Sequence, residues 1–427
     1  MKVLIITYYW PPAGGPGVQR WLKFVKYLRD FDIEPVLYTP QNPTYALTDE
    51  SLIDEIPDGI KIIKRPIFEP YRFAELLSKK DSKTISKGII AGQKKQSFVQ
   101  KLLLYIRGNF FIPDARKFWV KPSVKFLSDY LEQNGIDTII TTGPPHSVHL
   151  IGQGLKEKVN VKWIADFRDP WTTIGYHHKL KLSDSSRKKH KALEKGVLNT
   201  ADHVIVTSFT TKKEFEKITQ TSVNVITNGY DVEISSDVQL DKKFSIAHIG
   251  SLLSGRNPEI LWKALNELCQ EHEAFRNNLV LNLVGAVSED VLDTIRLYDL
   301  NEYIVQKGYV SHKEAVYLQR SSQVLLLVEI DASYTKCIIP GKLFEYMSSG
   351  RPILAIGPEG ADVEKLIQET ESGEFFTYGQ FLELKQQIWE YFEAYQVAQL
   401  KTRTSARIDK YSRRNLTNRL ADLIKSV

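Results

Sequence analysis

The sequence predicts an α/β protein of two domains, each a parallel sheet with helices on both faces. Three observations lead there. The chain has 427 residues, too many for one ordinary core. Short, continuously apolar runs alternate with amphipathic helical patterns almost throughout, as expected of parallel strands covered on both sides. A polar stretch from Thr227-Asn228-Gly229-Tyr230-Asp231 through Lys243 interrupts that alternation near the middle and reads as a linker.

In the first half the apolar runs predict strands at Val3–Thr7, Pro35–Tyr38, Ile60–Lys64, Thr138–Thr142, Trp163–Phe167, His203–Thr207 and Asn224–Ile226. Helical spacing of apolar residues predicts helices between them, for example Val18–Leu28 and Phe126–Gln133. In the second half, strands are predicted at Ser245–Ile249, Val280–Val284, Ile304–Gln306, Val324–Val328 and Ile353–Ile356. Helices such as Glu259–Glu271 and Lys313–Arg320 separate them. Domains are therefore expected at 1–230 and 243–405. The closing stretch 406–427 contains an amphipathic helix, Tyr411–Val427, expected to return to the first domain.

Composition narrows the function classes. Apolar residues make up 42% and charged residues 25%, as in soluble globular proteins. No apolar run reaches the length of a spanning helix. The opening run Lys2-Val3-Leu4-Ile5-Ile6 stops at Thr7 and meets Pro11-Pro12 and Gly14-Gly15, so it reads as a first strand and its turn, not a secretion signal. Cys269 and Cys337 have neither zinc-ligand nor Cys-x-x-Cys spacing, which fits a reducing cytoplasm.

The net charge of +6 is concentrated in one segment. Between positions 78 and 110, Lys79, Lys80, Lys83, Lys87, Lys94, Lys95, Lys101 and Arg107 face the single acid Asp81, so the rest of the chain is close to neutral. A general affinity for nucleic acid is not expected. A local cationic insert is, and Phe98, Leu102, Leu103, Tyr105 and Ile106 give it an amphipathic helical pattern. Such a helix either packs its apolar side on the domain or lies on an anionic membrane through 79–107.

Ligands of open parallel sheets bind beyond the carboxyl ends of the strands, so the chemistry is sought there. After the first strand, Pro11-Pro12-Ala13-Gly14-Gly15-Pro16-Gly17 opens a helix: either a turn stiffened by prolines or a seat for an anion at the helix N-terminus. It is neither Gly-x-Gly-x-x-Gly nor a P-loop. After the Thr138–Thr142 strand, Gly143-Pro144-Pro145 presents His146, either as a helix cap or to bind a sugar hydroxyl or phosphate.

Asp166-Phe167-Arg168-Asp169-Pro170-Trp171 ends the next strand, and three charges there must be paired or exposed. Either an Arg–Asp pair is structural, or Asp169 accepts from substrate hydroxyls while Arg168 binds anionic oxygen. In the second half, Arg256 beside the glycines Gly250 and Gly255 suits a diphosphate. Further on, Pro340-Gly341-Lys342-Leu343-Phe344-Glu345 starts a helix. Lys342 and the backbone N–H groups would face phosphate there, and Glu345, about one turn in, would accept ribose hydroxyls. His177-His178 has no partner ligands at metal spacing, and Asp30-Phe31-Asp32 lies at the amino end of a strand, so no metal site is expected.

Taken together, these segments resemble the GT-B glycosyltransferases of family 4, particularly the bacterial capsule and O-antigen branch. The resemblance rests on Gly14-Gly15, Thr142-Gly143-Pro144-Pro145-His146, Asp166-Phe167-Arg168-Asp169-Pro170-Trp171, Asn228-Gly229-Tyr230-Asp231, Gly250 to Arg256, Val284-Gly285, Gly308-Tyr309-Val310 and Pro340 to Glu345.

It implies two Rossmann-like domains facing each other across a cleft, the first on the acceptor side and the second binding a nucleotide-sugar. The sugar would be transferred with retention, without metal or cofactor. Arg256, assisted by Lys342, would hold the leaving diphosphate near Gly341, Glu345 would bind ribose, and Gly285 and Tyr309 would flank the base. Gly15 would face the diphosphate from the first domain, with His146, Arg168 and Asp169 toward the sugar or acceptor. The acceptor class implied is a lipid-linked saccharide, handled in the cytoplasm or at the inner face of its membrane. The chain departs from the family in two places: the acidic partner expected eight positions before Glu345 is Cys337, and Arg256 stands where lysine is usual.

Stabilising charge on a departing diphosphate needs fixed cations and N–H dipoles more than a nucleophile. Two other readings remain: a non-hydrolysing sugar-nucleotide epimerase on the same fold, and a degenerate, non-catalytic transferase subunit.

Overall fold

The computed structural model describes residues 1–70, 98–175, 177, 180–231, 238–400 and 406–427. The chain forms two compact units, Met1–Asn228 with Arg413–Val427, and Gly229–Ser412. Most of the cationic insert, including Lys79, Lys80, Lys83, Lys87, Lys94 and Lys95, falls outside the described residues, as does His178.

The first unit is built on seven parallel strands: β1 Lys2–Thr7, β2 Glu34–Pro40, β3 Lys61–Arg65, β4 Thr138–Gly143, β5 Lys162–Phe167, β6 His203–Val206 and β7 Ser222–Val225. Their order is β3-β2-β1-β4-β5-β6-β7, so the sheet reverses direction of growth between β1 and β4. Successive residues enter opposite cores. Val3, Ile5, Leu37, Ile140 and Ile164 pack on one face, and Leu4, Ile6, Tyr38, Ile139 and Trp163 on the other. Burial on both faces is why these strands are apolar at consecutive positions.

The helices of this unit are α1 Pro16–Leu28, α2 Phe98–Phe110, α3 Lys117–Asn134, α4 Ser147–Lys158, α5 Asp184–Thr200 and α6 Phe209–Phe215. α1 buries Val18, Trp21, Leu22, Val25 and Leu28 at helical spacing. α3 begins nine residues before its expected start: it runs through Pro122, and Trp119, Ser123, Leu127 and Leu131 bury one face. In α2, Leu104 is buried whereas Leu102 and Tyr105 are exposed. The closing helix Arg413–Ser426 buries Leu416, Leu420 and Ile424 in the α1 side of the core, and Arg414 pairs with Asp30 at 3.1 Å.

The second unit repeats the topology with six strands: β8 Phe244–Ile249, β9 Leu279–Val284, β10 Ile304–Lys307, β11 Val324–Val328, β12 Ile353–Gly357 and β13 Gly373–Thr377. The order β10-β9-β8-β11-β12-β13 places its reversal between β8 and β11. Helices α7 Glu259–Glu271, α8 Glu273–Asn278, α9 Glu289–Leu297, α10 His312–Ser321, α11 Gly341–Ser349, α12 Asp362–Thr370 and α13 Phe381–Gln396 cover it. The edge strand β13 is not predicted from the sequence. Only Phe375 and Phe376 are apolar in it, and Gly373 allows close pairing, since a Cβ there would lie 2.0 Å from the Ile353 carbonyl oxygen.

Candidate functional site

In each unit the candidate residues collect at the carboxyl edge of its own sheet, about the point where the strand order reverses. That is where an open parallel sheet leaves a crevice for ligands.

In the first unit the loop after β1 carries Gly15, whose φ of 101° suits glycine and whose missing side chain faces open space at the start of α1. Arg168, after β5, turns inward from its strand end. Its guanidinium lies so close to Gly17 that any Cβ there would collide with it. Nε donates to the Gly143 carbonyl at 3.3 Å, and Nη2 donates to the Pro144 carbonyl. Burial lowers the Arg168 pKa while Asp169 raises it. Arg168 thus joins the three loops and fixes the one that carries His146. The half-buried Asp169 has its carboxyl pushed up by burial, with Arg168 opposing. Asp166 pairs not with its neighbour Arg168 but with Arg20 of α1, at 3.0 Å, and both side chains are buried. It also accepts from the Trp21 indole at 2.7 Å and the Thr142 hydroxyl at 2.8 Å.

His146 stands at the N-cap of α4 but makes no cap bond. Asp114 caps that helix, accepting from Ser147 N at 2.9 Å and Ser147 Oγ at 2.8 Å. The His146 ring is therefore released from capping and lies parallel to Trp171, centroids 4.7 Å apart. It is 6% exposed, and neither ring nitrogen has a hydrogen-bond partner among the described residues. Burial, with His149, His177, His190 and Arg168 nearby, holds its pKa well below the ordinary value, so the ring is neutral. It lines a cavity of about 250 Å³ together with Tyr9, Arg107, Phe111, Trp171, His177 and His190. The Trp171 indole donates to His190 Nδ1 at 3.2 Å, which leaves the His190 proton on Nε2. Aromatic faces, the neutral His146 and the charged Arg107, Asp114 and Arg116 make a surface suited to a sugar ring and its hydroxyls.

In the second unit the loops after β8 and β9 are locked together. Gly250 N donates to the Val284 carbonyl and Leu252 N to that of Ala286, each at 2.8 Å, and a Cβ on Gly285 would lie 2.7 Å from the Gly250 oxygen. Lys342, in the first turn of α11, comes beside Gly250, where a Cβ would be 3.4 Å from its Nζ. Lys342 Nζ also lies 3.2 Å from Nε2 of the buried His248. His248 Nδ1 is 3.1 Å from the Leu326 carbonyl, which can only accept. Nδ1 therefore carries the proton, and Nε2 accepts from the ammonium. Burial holds His248 well below its ordinary pKa, with Lys342 adding to the effect. Burial brings Lys342 itself down to about 8, against the pull of Glu329.

Arg256, on the same loop, reaches Glu329 at 3.7 Å. Glu345 follows Lys342 along α11. It accepts from Gln319 Nε2 at 2.9 Å and stands 3.6 Å from His312 Nε2, which leaves its side chain 26% exposed. Gly341 opens α11 with unoccupied space above it. The structure thus brings Arg256, Lys342, Gly285 and Gly341 to one strand edge. Tyr309 follows β10 and projects into solvent, 98% exposed. Cys337 Sγ lies against the Tyr334 carbonyl, 3.7 Å away. Among the described residues, no group of three His, Cys, Asp or Glu side chains is arranged to hold a metal ion, and no helix is long and apolar enough to cross a membrane.

Two participants were missed in the sequence, His248 and Glu329. His248 sits inside a strand and carries no positional signal. Glu329 does carry one, as an acid directly after the wholly apolar β11.

No protein-family model and no curated protein matches the chain. Solved structures do. Anabaena HepE, solved in complex with UDP, is 15% identical, covering 100% of both chains, with a TM-score of 0.64. A glycosyltransferase from Rickettsia africae is 14% identical, covering 100% of this chain and 98% of that one, with a TM-score of 0.60. A putative UDP-N-acetylglucosamine 2-epimerase from Listeria monocytogenes is 11% identical, covering 100% and 96%, with a TM-score of 0.55. At these identities the likeness is one of fold: the chain has the two-domain, Rossmann-like GT-B architecture.

Proposed function

We propose that this protein is a glycosyltransferase that takes a sugar from a nucleoside-diphosphate sugar, bound in the second unit, to an acceptor bound in the first. The observation that carries the reading is the strand edge of the second unit. Arg256 and the partly desolvated Lys342 converge there beside the Gly250 and Gly285 turns, and Glu345 stands one helical turn from the N-terminus of α11. Two cations and a helix N-terminus suit a diphosphate, and an acid one turn along suits the two ribose hydroxyls. The solved UDP complex of HepE, on the same fold, supports a uridine nucleotide as the first probe.

Charge grows on the diphosphate as the sugar leaves. Arg256, Lys342 and the α11 N–H groups are fixed before that happens, so they stabilise the departing group without reorganising. Lys342 can also deliver a proton near neutrality, because burial brings it to about 8. His146, neutral and without a hydrogen-bond partner among the described residues at the 250 Å³ cavity, hydrogen-bonds the sugar or acceptor, and Asp169 accepts from an acceptor hydroxyl. Metal-free transfer with retention, a lipid-linked saccharide acceptor and contact with an anionic membrane through 79–107 complete the proposal. Their support is the sequence resemblance and the basic insert.

Titration with UDP, GDP, CDP and dTDP tests the donor site; failure of all four to bind refutes it. Sedimentation with anionic vesicles tests the insert. Equal pelleting of wild type and of the triple Glu variant at Lys94, Lys95 and Lys101 refutes membrane contact. The epimerase reading draws on the Listeria likeness. Incubation of a bound nucleotide-sugar without acceptor separates the two: inversion at the sugar supports the epimerase, slow hydrolysis the transferase.

A further inference from the structure

Among the described acids of the second unit, Glu329 is placed unlike any other. It directly follows β11, at the point where the strand order reverses, and is 2% exposed. Its backbone is pinned on both sides: N donates to the Ile356 carbonyl at 2.8 Å, and the Tyr378 hydroxyl donates to its carbonyl at 2.8 Å. Its carboxylate oxygens are both buried, and neither accepts a hydrogen bond from the described residues. The charged groups that face it are Arg256 from the loop after β8, 3.7 Å away, and Lys342 from α11. Tyr378 beyond β13, which Glu329 and Asp331 both face, is the other titratable neighbour.

A buried carboxylate without hydrogen bonds is stable only through the charge of its neighbours. Here those neighbours are the two cations assigned above to the diphosphate. While the site is empty, Glu329 offsets two positive charges that repel each other. When a diphosphate arrives, it takes over both cations and brings several negative charges of its own. Glu329 then has lost its partners and gained a repulsive neighbour, and no donor among the described residues hydrogen-bonds its carboxylate. Binding a proton from solvent is the available relief. Burial already pushes its carboxyl above the ordinary value, and only Arg256 and Lys342 pull it back.

We propose that Glu329 is the resident counter-ion of the donor site, and that a nucleoside diphosphate is bound together with one proton, which neutralises Glu329. This rests on the assignment of Arg256 and Lys342 to the diphosphate. Glu329 is in this sense a positioning residue: it holds the cations ready in the empty site and withdraws electrostatically in the filled one. The same device ejects the product, because loss of that proton restores the repulsion.

The test is calorimetric titration of full-length wild type and Glu329→Gln between about pH 6 and 7.5, with the tightest binder among UDP, GDP, CDP and dTDP. Two buffers of different ionisation heat give the proton count. Lys342 and the nucleotide titrate in both proteins, so the ratio of the two dissociation constants isolates Glu329. The expected result is that Glu329→Gln binds about tenfold more tightly at the upper pH, with the advantage disappearing toward the lower. Wild type should take up more protons than the variant. Equal proton counts, or weaker binding by Glu329→Gln at every pH, overturn the proposal.

Should the variant fail to fold, the wild-type count decides. At pH 7 Lys342 accounts for only about a tenth of a proton, so uptake near one supports the role and no uptake overturns it. Arg256→Ala separates the two levels: undiminished nucleotide binding there overturns the site assignment itself, whereas lost binding with a flat ratio overturns only the role of Glu329.

Discussion

The two units share a topology and each places an arginine–carboxylate pair at the carboxyl edge of its sheet, yet the two pairs are built differently. In the first, Asp166 accepts from Arg20 at 3.0 Å, Trp21 at 2.7 Å and Thr142 at 2.8 Å. Arg20 also donates to the Thr227 carbonyl at 2.7 Å. Both Asp166 oxygens are engaged and the pair is buried, with only Arg20 Nε lacking a partner among the described residues, and it ties α1, β4, β5 and the segment after β7 together. In the second, Glu329 has the long contact to Arg256 with Lys342 nearby, and its carboxylate accepts no hydrogen bond from the described residues. A polar network completed within the protein specifies structure, and one left incomplete at a crevice is poised for a ligand.

That contrast can be broken most directly by removing the acids. Asp166→Ala leaves Arg20 buried without its charge partner and should cost about 3–5 kcal/mol of stability in urea unfolding. Glu329→Gln should cost no stability. A loss as large as that of Asp166→Ala would show that the second pair is structural as well.

The next effect concerns ligand affinity. Arg256→Ala and Glu345→Ala each remove a charge-assisted contact worth about 1.5–3 kcal/mol, so nucleoside diphosphate affinity should fall roughly tenfold or more. Melting temperature should hold for Glu345→Ala, whose side chain is partly exposed, and fall for Arg256→Ala, which strips the buried Glu329 of a charge partner. Unchanged affinity in both variants would remove the donor site from this edge.

On the first unit's side, His146→Ala and Asp169→Asn should lower kcat about tenfold while leaving donor KM near the wild-type value. An effect confined to donor KM would move these residues into the donor pocket.

A further effect is one of pH. Burial holds His146 and His248 well below their ordinary pKa, and His149 at about 3. The unfolded chain protonates these rings near pH 6.5, so below that value it binds more protons than the folded chain. The stability these rings contribute is therefore complete above about pH 6.5 and falls as the pH drops, each histidine adding up to about 1.4 kcal/mol per unit. Urea unfolding at about pH 7.5 and 5.5 measures it, and an equal midpoint at both would contradict neutral buried rings.

The sequence by itself determined the two-domain α/β architecture and nearly every strand, because consecutive apolar residues are a local record of burial on both faces. It also located the carboxyl-edge segments, since glycines, prolines and charges there contrast with the strands before them. It did not reveal β13, whose two phenylalanines are too few to show a period. Nor did it tell which charges are partnered. Asp166 lies two residues from Arg168 but bonds to Arg20, 146 positions away. His146 is free to face a cavity only because Asp114, 33 positions before Ser147, caps its helix through that residue instead. Glu329 acquires its role from Arg256 and Lys342, which approach from other elements. Such pairings depend on distance in space and on the dielectric around each group, and neither is written in the local order of residues. Those the tertiary structure alone decided.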